Sequence, residues 1–276
     1  MSHTPIRCII TDTGTAAFNM AADHYLMRDA GEKQCICLRL YRWKPPAISI
    51  GSLQHASRQL NLAKLADEGI DWIRRPTGGR AVLHSDDLTY SIVFPRNFSG
   101  TGSSVAATYF IIMKCLVHAF SQLGIHPQIQ DSADPLIKSG RHVKLPCFLA
   151  PNRDEIMVNG RKLVGSAQYR TRETVLQHGS IPLSEASCTL PRYFLIDTTE
   201  QEEQIKLLRA KSISLAELLP GIRLETIISA LIEGFSAGFS LPVARTPFSE
   251  HEQSVVMKLA QSESFKKQWC SDPEES

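Results

Sequence analysis

The feature that most constrains the fold is an Asn-Gly pair between two runs that carry apolar residues. Residues 155–158 precede Asn159-Gly160, and residues 161–164 follow it. A two-residue β-hairpin turn of this type requires positive φ at both positions, and Asn-Gly adopts these angles more readily than most pairs. The pattern therefore predicts an antiparallel hairpin in the second half of the chain.

The remaining strand and helix patterns are grouped and do not alternate. Short apolar runs between turn signals predict strands in the middle of the chain, and apolar residues at helical spacing predict helices at both ends. The predicted strands are residues 35–43, 47–51, 71–74, 80–84, 88–94 and 175–181. The predicted helices are residues 15–29, 104–123, 200–219, 224–239 and 250–269. Because the strands cluster, the predicted fold class is α+β with antiparallel or mixed sheets, not a Rossmann fold.

Two local expectations accompany this assignment. Thr13 or Asp12 is expected to cap the N-terminus of the first helix, because both side chains accept a hydrogen bond from a free backbone N–H. Residues 80–84 and 88–94 are separated by three residues, so these two strands are expected to pair with each other.

Composition limits the classes of function. The chain has 276 residues, which suits one large domain, and 43% of them are hydrophobic, enough to form a core. Thirty basic and twenty-eight acidic residues leave a net charge of +2. This balance does not favour binding to nucleic acid, for which a concentrated basic face is expected.

Cysteine usage and hydropathy favour a cytoplasmic protein. Seven cysteines occur without a Cys-x-x-Cys pair, which gives no support to a zinc ribbon or a thioredoxin-type site. Their odd number fits free thiols in a reducing compartment. The first residues lack the apolar region of a signal peptide, and the uncharged stretch at residues 97–113 is too polar to cross a bilayer.

The first candidate site is the run RRPTGGRAVLH at residues 74–84. Its adjacent Gly78 and Gly79 allow backbone N–H groups to point into one concavity that can hold a carbonyl, carboxylate or phosphate. Arg75 and Arg80 can add positive charge, and His84 ends the run. The same residues could instead form a tight turn with solvated arginines.

The second candidate site contains Cys147 and Lys162, fifteen residues apart, with the predicted hairpin between them. A nearby ammonium lowers the pKa of a thiol and supplies the thiolate that attacks an ester or thioester. Taken separately, a cysteine is more often a small core residue and a hairpin lysine more often an exposed charge.

Small residues follow directly after the lysine strand. Gly165, Ser166 and Ala167 would allow a narrow ligand to lie against the backbone, although ordinary packing of one strand on another gives the same pattern. In the next strand, His178 and Gly179 offer a polar group and a second point of close approach. A single histidine in a strand is more often structural than chemical.

Taken together, these motifs resemble one superfamily. RRPTGGRAVLH, GRKLVGSAQ and LQHGS, in this order and spacing, are similar to the biotin/lipoate protein ligase and octanoyltransferase superfamily, from about residue 35 to residue 242. Within it, the chain most resembles bacterial octanoyl-[acyl carrier protein]:protein N-octanoyltransferases of the Bacillus type. Arg80 after the glycine pair and the segment Cys-Phe-x-x-Pro at residues 147–151 carry that distinction. The run at residues 151–154, Pro-Asn-Arg-Asp, departs from the Pro-Ser-aromatic pattern of relatives at the expected wall of the donor site.

The resemblance implies a fold and a mechanism. The fold would be a ligase-type catalytic core at about residues 32–245, with two packed sheets, one of them large and mixed, flanked by helices and followed by a helical tail. Cys147 would carry the octanoyl group as a thioester, and Lys162 would lower its pKa and orient the carbonyl. The Gly78-Gly79 loop and residues 165–167 would wall the acyl tunnel. Neither a metal nor another cofactor would be needed.

The resemblance also implies the partners. Octanoyl-acyl carrier protein would be the donor, and a lipoyl-domain protein, either glycine cleavage H protein or a dehydrogenase E2 subunit, would be the acceptor. Neither nucleic acid nor membrane would take part.

Three alternatives stay open on the sequence. An ATP-dependent lipoate–protein ligase would use the same lysine without a cysteine. An amidotransferase between carrier proteins would share the fold and the covalent logic but hold its cysteine elsewhere. A non-catalytic module that binds acyl groups or carrier proteins would retain only the fold.

Overall fold

A computed structural model describes residues 4–98, 104–129 and 155–272 of the chain. Its strands are β1 (Ile6–Gly14), β2 (Cys37–Trp43), β3 (Ala47–Ile50), β4 (Asp71–Arg74), β5 (Val82–His84), β6 (Asp87–Pro95), β7 (Gln128–Ile129), β8 (Ile156–Val158), β9 (Arg161–Arg170), β10 (Thr174–Pro182) and β11 (Val243–Arg245). Its helices are α1 (Ala16–Lys33), α2 (Ala56–Gln59), α3 (Leu62–Asp67), α4 (Val105–Gln122), α5 (Thr198–Lys211), α6 (Leu215–Leu218), α7 (Leu224–Phe239), α8 (Glu250–Gln261) and α9 (Glu263–Trp269), with a 3₁₀ helix at Glu185–Tyr193.

Within the described ranges the strands form two sheets. The large sheet has eight strands in the order β11-β1-β2-β6-β10-β9-β8-β7, and the small sheet has three in the order β4-β3-β5. In the large sheet β1 runs parallel to β2 and β11, and the other neighbours are antiparallel. The parallel pair follows from the 18-residue helix α1, which carries the chain back to the start of the sheet. The predicted α+β class with one large mixed sheet is confirmed.

The predicted hairpin is present. β8 and β9 pair in antiparallel fashion, and Asn159 and Gly160 between them have φ of 52° and 72°. Asn is one of the few residues that tolerates this left-handed region, and Gly has no Cβ to oppose it. β9 then continues to Arg170, six residues beyond the predicted end, so residues 165–167 lie inside the lysine strand and not after it.

The expected pairing of residues 80–84 with 88–94 is wrong. β5 pairs with β3 in the small sheet, whereas β6 pairs with β2 and β10 near the centre of the large sheet. Only Ser85 and Asp86 lie between the two strands, so the chain turns from one sheet into the other. β2 and β10 are longer than the three-residue β5, so they offer β6 more backbone hydrogen bonds than β5 could. Every residue of β6 is buried in this central position.

The expected cap of the first helix is also wrong. β1 extends to Gly14, and the side chain of Thr15 accepts the hydrogen bond from Phe18 N at 3.2 Å. Thr13 and Gly14 pair with β2 and stay extended because the ladder supplies their backbone partners, and Asp12 lies at the irregularity between Thr11 and Thr13. Thr13 and Asp12 therefore belong to the strand.

Tertiary contacts divide the predicted C-terminal helices. Residues 200–219 form α5 and α6, because Ile213 N donates to Lys162 O at 3.0 Å and holds the intervening residues extended beside β9. Residues 250–269 form α8 and α9, with Ser262 ending the first helix and capping the second.

Helices cover both faces of the large sheet. α4 and α7 pack against each other and bury one face, with Phe120 and Phe235 fully buried. α1 covers part of the other face, where α8 and Phe265 of α9 pack on it. Of the helices in the described ranges, α4 alone is long and apolar enough to cross a membrane, and here it belongs to the core.

Candidate active site

A cleft lies where the small sheet faces the uncovered part of the large sheet. It encloses about 390 Å³, counting the space at its mouth. Its lining residues are Met20, Tyr41, Trp43, Ser49, Arg75, Val82, His84, Thr89, Gly165, Ser166, Ala167, His178, Gly179 and Ser180. The lining combines apolar side chains with a few buried polar groups, which is the usual character of a site for a small organic ligand.

The backbone of β9 and β10 forms one wall of the cleft. Gly179 pairs with Ser166, and Ser180 pairs with Gly165. A Cβ on Gly179 would lie 2.6 Å from Tyr90 Cε1 and 2.7 Å from Ser166 Oγ, distances that real Cβ atoms do not show. The strand therefore needs glycine at this position. Gly165, Ser166, Ala167, His178 and Gly179 all line the cleft, and their expected contact with the substrate stays a prediction.

Ser166 is fixed in place by two tyrosines. Its Oγ lies 2.8 Å from the hydroxyl of Tyr90, and its carbonyl accepts a hydrogen bond from the hydroxyl of Tyr109 at 3.2 Å. Burial raises the pKa of Tyr90 to about 12, so this hydroxyl keeps its proton at neutral pH. The small-residue wall thus presents fixed dipoles and no charge to the cleft.

His84 connects the two sheets. Its Nδ1 lies 2.8 Å from Asp87 Oδ2, its Nε2 lies 2.8 Å from Ser49 Oγ, and its ring stacks on Trp43 with centroids 4.0 Å apart. In the tautomer of a neutral ring that suits these partners, Nδ1 donates to the Asp87 carboxylate and Nε2 accepts from the Ser49 hydroxyl. Thr89 and Ser180 also donate to Oδ2 of Asp87.

His178 repeats this arrangement on the opposite wall. Its Nδ1 lies 3.2 Å from Asp23 Oδ2 and its Nε2 lies 2.8 Å from Thr77 Oγ1. Burial, only partly offset by the bond to Asp23, lowers the pKa of His178. Burial would raise the pKa of Asp23, but the hydrogen bond from His178 and the charge of Arg39 outweigh it and lower that pKa. The pair is therefore a neutral imidazole beside a carboxylate.

Arg75 joins the two histidine systems. Its Nε donates to Thr77 Oγ1 at 3.1 Å, and its Nη1 donates to Ser49 O at 3.0 Å and Ser49 Oγ at 3.2 Å. Each hydroxyl that accepts from Arg75 can then donate to a histidine, so one guanidinium sets the direction of both chains of hydrogen bonds. Nη2 donates to Gly78 O at 2.9 Å and Arg80 O at 2.8 Å, which fixes the glycine loop as well.

The glycine loop lies beside the cleft. Gly78, Gly79 and Arg80 are absent from the lining formed by the described residues. Gly78 and Gly79 are both exposed. Gly79 has φ of 96°, and its carbonyl oxygen would lie 2.2 Å from a Cβ on Gly51. Arg80 Nη1 is buried and finds no hydrogen-bond partner in the part of the chain that the structure describes. The expectation that Gly78 and Gly79 wall an acyl tunnel stays a prediction.

Lys162 is buried and paired. Its Nζ lies 2.5 Å from Glu155 Oε1, and the two side chains are 3% and 8% exposed. Lys162 lies on β9, three residues before Gly165 of the cleft wall, but it does not itself line the cleft. Cys147 lies outside the described residues, so its expected proximity to Lys162 stays a prediction.

Several residues of the site carried no signal in the sequence. Asp23 comes from the middle of a helix, and Ser49 is one small polar residue in an otherwise apolar strand. Trp43 could have been suspected, because a large aromatic at the end of a strand before Pro45-Pro46 seldom faces solvent. Each ring nitrogen of His178 has a hydrogen-bond partner, and whether this histidine is structural or binds substrate stays a prediction.

Comparison with known proteins gives consistent similarities along the whole chain. Residues 15–236 match the family model described as the lipoyl protein ligase A/B catalytic domain. A protein from Kyrpidia tusciae named octanoyltransferase LipM is 36% identical, with 92% of this chain and 94% of that protein covered. The protein of the same name from Bacillus subtilis is 31% identical, with 94% and 95% covered.

Solved structures of ligases share the fold. Lipoate-protein ligase A bound with ATP superposes with a TM-score of 0.75 at 20% identity, covering 94% of this chain and 95% of that one. The bi-partite lipoate protein ligase from Thermoplasma acidophilum gives 0.77 at 19% identity, covering 95% and 96%. At these identities the similarity concerns the fold.

Proposed function

The chain belongs to the lipoyl protein ligase A/B catalytic-domain family, and from this premise we propose how it works as an octanoyltransferase: Cys147 takes octanoyl from acyl carrier protein and passes it to a lysine of a lipoyl domain. Similarity to octanoyltransferases over more than nine-tenths of the chain carries the assignment of activity. The acyl donor is carrier-bound and the acceptor is a lipoyl domain. The identity of the donor, and glycine cleavage H protein or a dehydrogenase E2 subunit as acceptor, belong to the proposal.

The proposed reaction has two acyl transfers. The Cys147 thiolate attacks the thioester carbonyl, a sulfur–carbon bond forms, and the phosphopantetheine thiolate leaves. The neutral amine of the acceptor lysine then attacks the acyl-enzyme, the amide forms, the amine gives up a proton, and the Cys147 thiolate leaves. Both steps start from a thioester, so no nucleotide is consumed.

Lys162 supplies the charge for this chemistry in the proposal. A buried ammonium stabilises a nearby thiolate and the oxyanion of each tetrahedral intermediate more strongly than an exposed one, because less water screens it. Glu155 holds Nζ at one position and also neutralises part of its charge. The pair therefore sets how strongly Lys162 acts on Cys147.

The cleft is the proposed site of the octanoyl chain. Apolar surface from Met20, Tyr41, Trp43 and Val82 faces the glycine-bearing wall, so an unbranched chain can be buried without a side chain in its path. Arg80 is the proposed anchor for the polar part of the donor, because its buried Nη1 has no partner within the described ranges. An arginine of this kind suits a carbonyl or phosphate oxygen.

Intact-mass analysis without ATP tests the proposal. The full chain is incubated with octanoyl-acyl carrier protein, and we expect one octanoyl adduct on Cys147 that hydroxylamine removes and that a lipoyl domain discharges. Cys147→Ala should lose the adduct and essentially all transfer, whereas Cys270→Ala is the matched control that keeps both. An adduct elsewhere, or normal transfer by Cys147→Ala, contradicts the mechanism.

The same assay separates the alternatives. Turnover of free octanoate with ATP, with no use of the carrier-bound form, would indicate a ligase. Transfer only from one octanoylated lipoyl domain to another would indicate an amidotransferase. Fractionation of the native cells should recover the protein with the cytoplasm, as the cysteine usage predicts.

A further inference from the structure

Three side chains that could bind a metal ion lie close together near the C-terminal end of α1 and the start of β2. Asp29, Cys35 and Cys37 each place one potential ligand atom within 4.8 Å of the others. We propose that these three side chains form a Zn²⁺ site, with the fourth position open to water or another ligand.

The distance between the sulfurs fits tetrahedral coordination. Cys35 Sγ and Cys37 Sγ are 3.8 Å apart. Two thiolates at about 2.3 Å from zinc, at the tetrahedral angle, lie about 3.8 Å apart. The ion can therefore enter between the sulfurs without separating them. In the metal-free chain the same distance allows an S–H···S contact, and zinc would displace both thiol protons into solvent.

Asp29 gives a second, independent indication of a ligand. The residue is 5% exposed, and its Oδ2 is buried with no hydrogen-bond partner in the described part of the chain. Its other oxygen accepts from Lys33 Nζ at 2.6 Å. A buried carboxylate oxygen without a partner is costly, and a cation would satisfy it. Lys33 would then act as the outer partner that orients the ligand, as is common for carboxylates on metals.

Backbone contacts hold the three donors in place. Gln34 ends α1 in the left-handed region with φ of 52°, and its side chain donates to Gly31 O at 2.6 Å, so the turn between Asp29 and Cys35 is fixed. Cys37 is fully buried and pairs with Arg7 of β1. Cys35 is only half-buried, which leaves a route for the ion and room for a fourth ligand.

Charge is close to balanced around the proposed ion. Two thiolates and one carboxylate exceed the charge of Zn²⁺ by one, and the Lys33 ammonium supplies that unit. The combination of soft sulfur ligands with one oxygen favours zinc over magnesium or calcium, which take oxygen ligands.

Cobalt and zinc titration tests the site. The reduced full chain is stripped with a chelator and titrated with Co²⁺. We expect thiolate-to-cobalt charge-transfer absorption that saturates at one ion per chain and disappears when Zn²⁺ displaces it. Cys35→Ser and Asp29→Asn should each weaken Zn²⁺ binding at least about tenfold. Cys270→Ser, which changes another half-buried cysteine, and Cys147→Ala should retain the signal.

Three outcomes would overturn the proposal: no thiolate band, a band unaffected by Cys35→Ser, or a band lost in Cys147→Ala. If a variant fails to fold, the proposal can still be tested on the unmodified chain. Zn²⁺ should protect the half-buried Cys35 from alkylation by iodoacetamide, as read by peptide mass, and equal labelling of Cys35 with and without Zn²⁺ would contradict the site.

Discussion

The ammonium of Lys162 and the carboxylate of Glu155 form a buried ion pair, with Nζ 2.5 Å from Oε1. The ion pair fixes the position of the ammonium. In the proposed mechanism, the effect of Lys162 on the Cys147 thiol therefore depends on the charge of Glu155. The two members of the pair give opposite predictions for the reactivity of Cys147.

Replacement of Lys162 should make the Cys147 thiol less acidic. A cysteine has an ordinary pKa of about 8.5, and a neighbouring cation lowers it. Lys162→Gln should therefore move the pH profile of Cys147 alkylation by iodoacetamide towards alkaline pH, and each unit corresponds to about 1.4 kcal/mol. Profiles that superimpose would show that Lys162 does not activate the thiol.

Replacement of Glu155 should have the reverse effect. Glu155→Gln removes the carboxylate that offsets the ammonium, so the alkylation profile should move towards acid pH. Stability needs its own control, because Lys162→Gln removes one member of a buried ion pair at a cost of about 3–5 kcal/mol. The double variant Lys162→Gln/Glu155→Gln should recover most of that loss in denaturant unfolding while its thiol stays unreactive. A shift in the same direction for both single variants would exclude a role through charge.

A methyl group on the glycine wall should block the cleft. Gly179→Ala places Cβ 2.6 Å from Tyr90 Cε1, so we expect a loss of about 1–3 kcal/mol from overpacking and at least a tenfold fall in kcat/KM for transfer. Gly31→Ala is the control, because its added Cβ also meets a neighbour, Thr174 Cγ2 at 3.2 Å, but does not line the cleft. Equal activity in the two variants would show that the acyl chain does not use this wall.

Loss of the forked guanidinium should loosen the glycine loop. Arg75→Lys keeps the charge but cannot reach Ser49, Thr77 and Gly78 at once. Hydrogen exchange should then accelerate at residues 78–81, and kcat/KM should fall. Arg192→Lys, at an exposed position, should leave both unchanged. Unaltered exchange in Arg75→Lys would mean that the loop holds its shape by itself.

The Asp23–His178 pair should make the protein less stable in acid. Both pKa values are lowered in the folded chain, so the unfolded chain binds protons more readily and stability falls as pH falls. Protonation of the histidine lowers the stability below about pH 6.5, and protonation of the aspartate lowers it further below about pH 4. His178→Gln should reduce the pH slope of the unfolding free energy between pH 6.5 and 5, by at most about 1.4 kcal/mol per unit. Leu26→Ala, a buried apolar truncation, should lower stability equally at each pH.

Local chemistry decided which parts of the fold could be predicted. The hairpin at Asn159-Gly160 depends on two residues that tolerate positive φ, and the structure has it there. Partner choice between strands depends on the rest of the molecule, so the expected pair of β5 and β6 was wrong. The cap at Thr15 was missed because the extent of β1 depends on its pairing with β2.

The candidate site also contains some residues that could be predicted from the sequence and others that could not. Gly165, Ser166, Ala167 and Gly179 could be predicted because small residues in strands leave a recognisable pattern. Asp23 and Ser49 could not, because their importance arises only when His178 and His84 meet them across the fold. Likewise, Asp29 joins Cys35 and Cys37 only through the turn that ends α1, which no Cys-x-x-Cys rule detects.

The turn at Ser85 and Asp86 sets the opening of the cleft. It ties the small sheet to the large one, and the hydrogen bond between His84 and Asp87 braces it at 2.8 Å. At this edge the short turn and the hydrogen bond hold the two sheets at a fixed separation. Discrimination among acyl groups then depends on the side chains that line the cleft, such as Met20 and Val82, and a smaller residue at one of these positions should admit a bulkier acyl group.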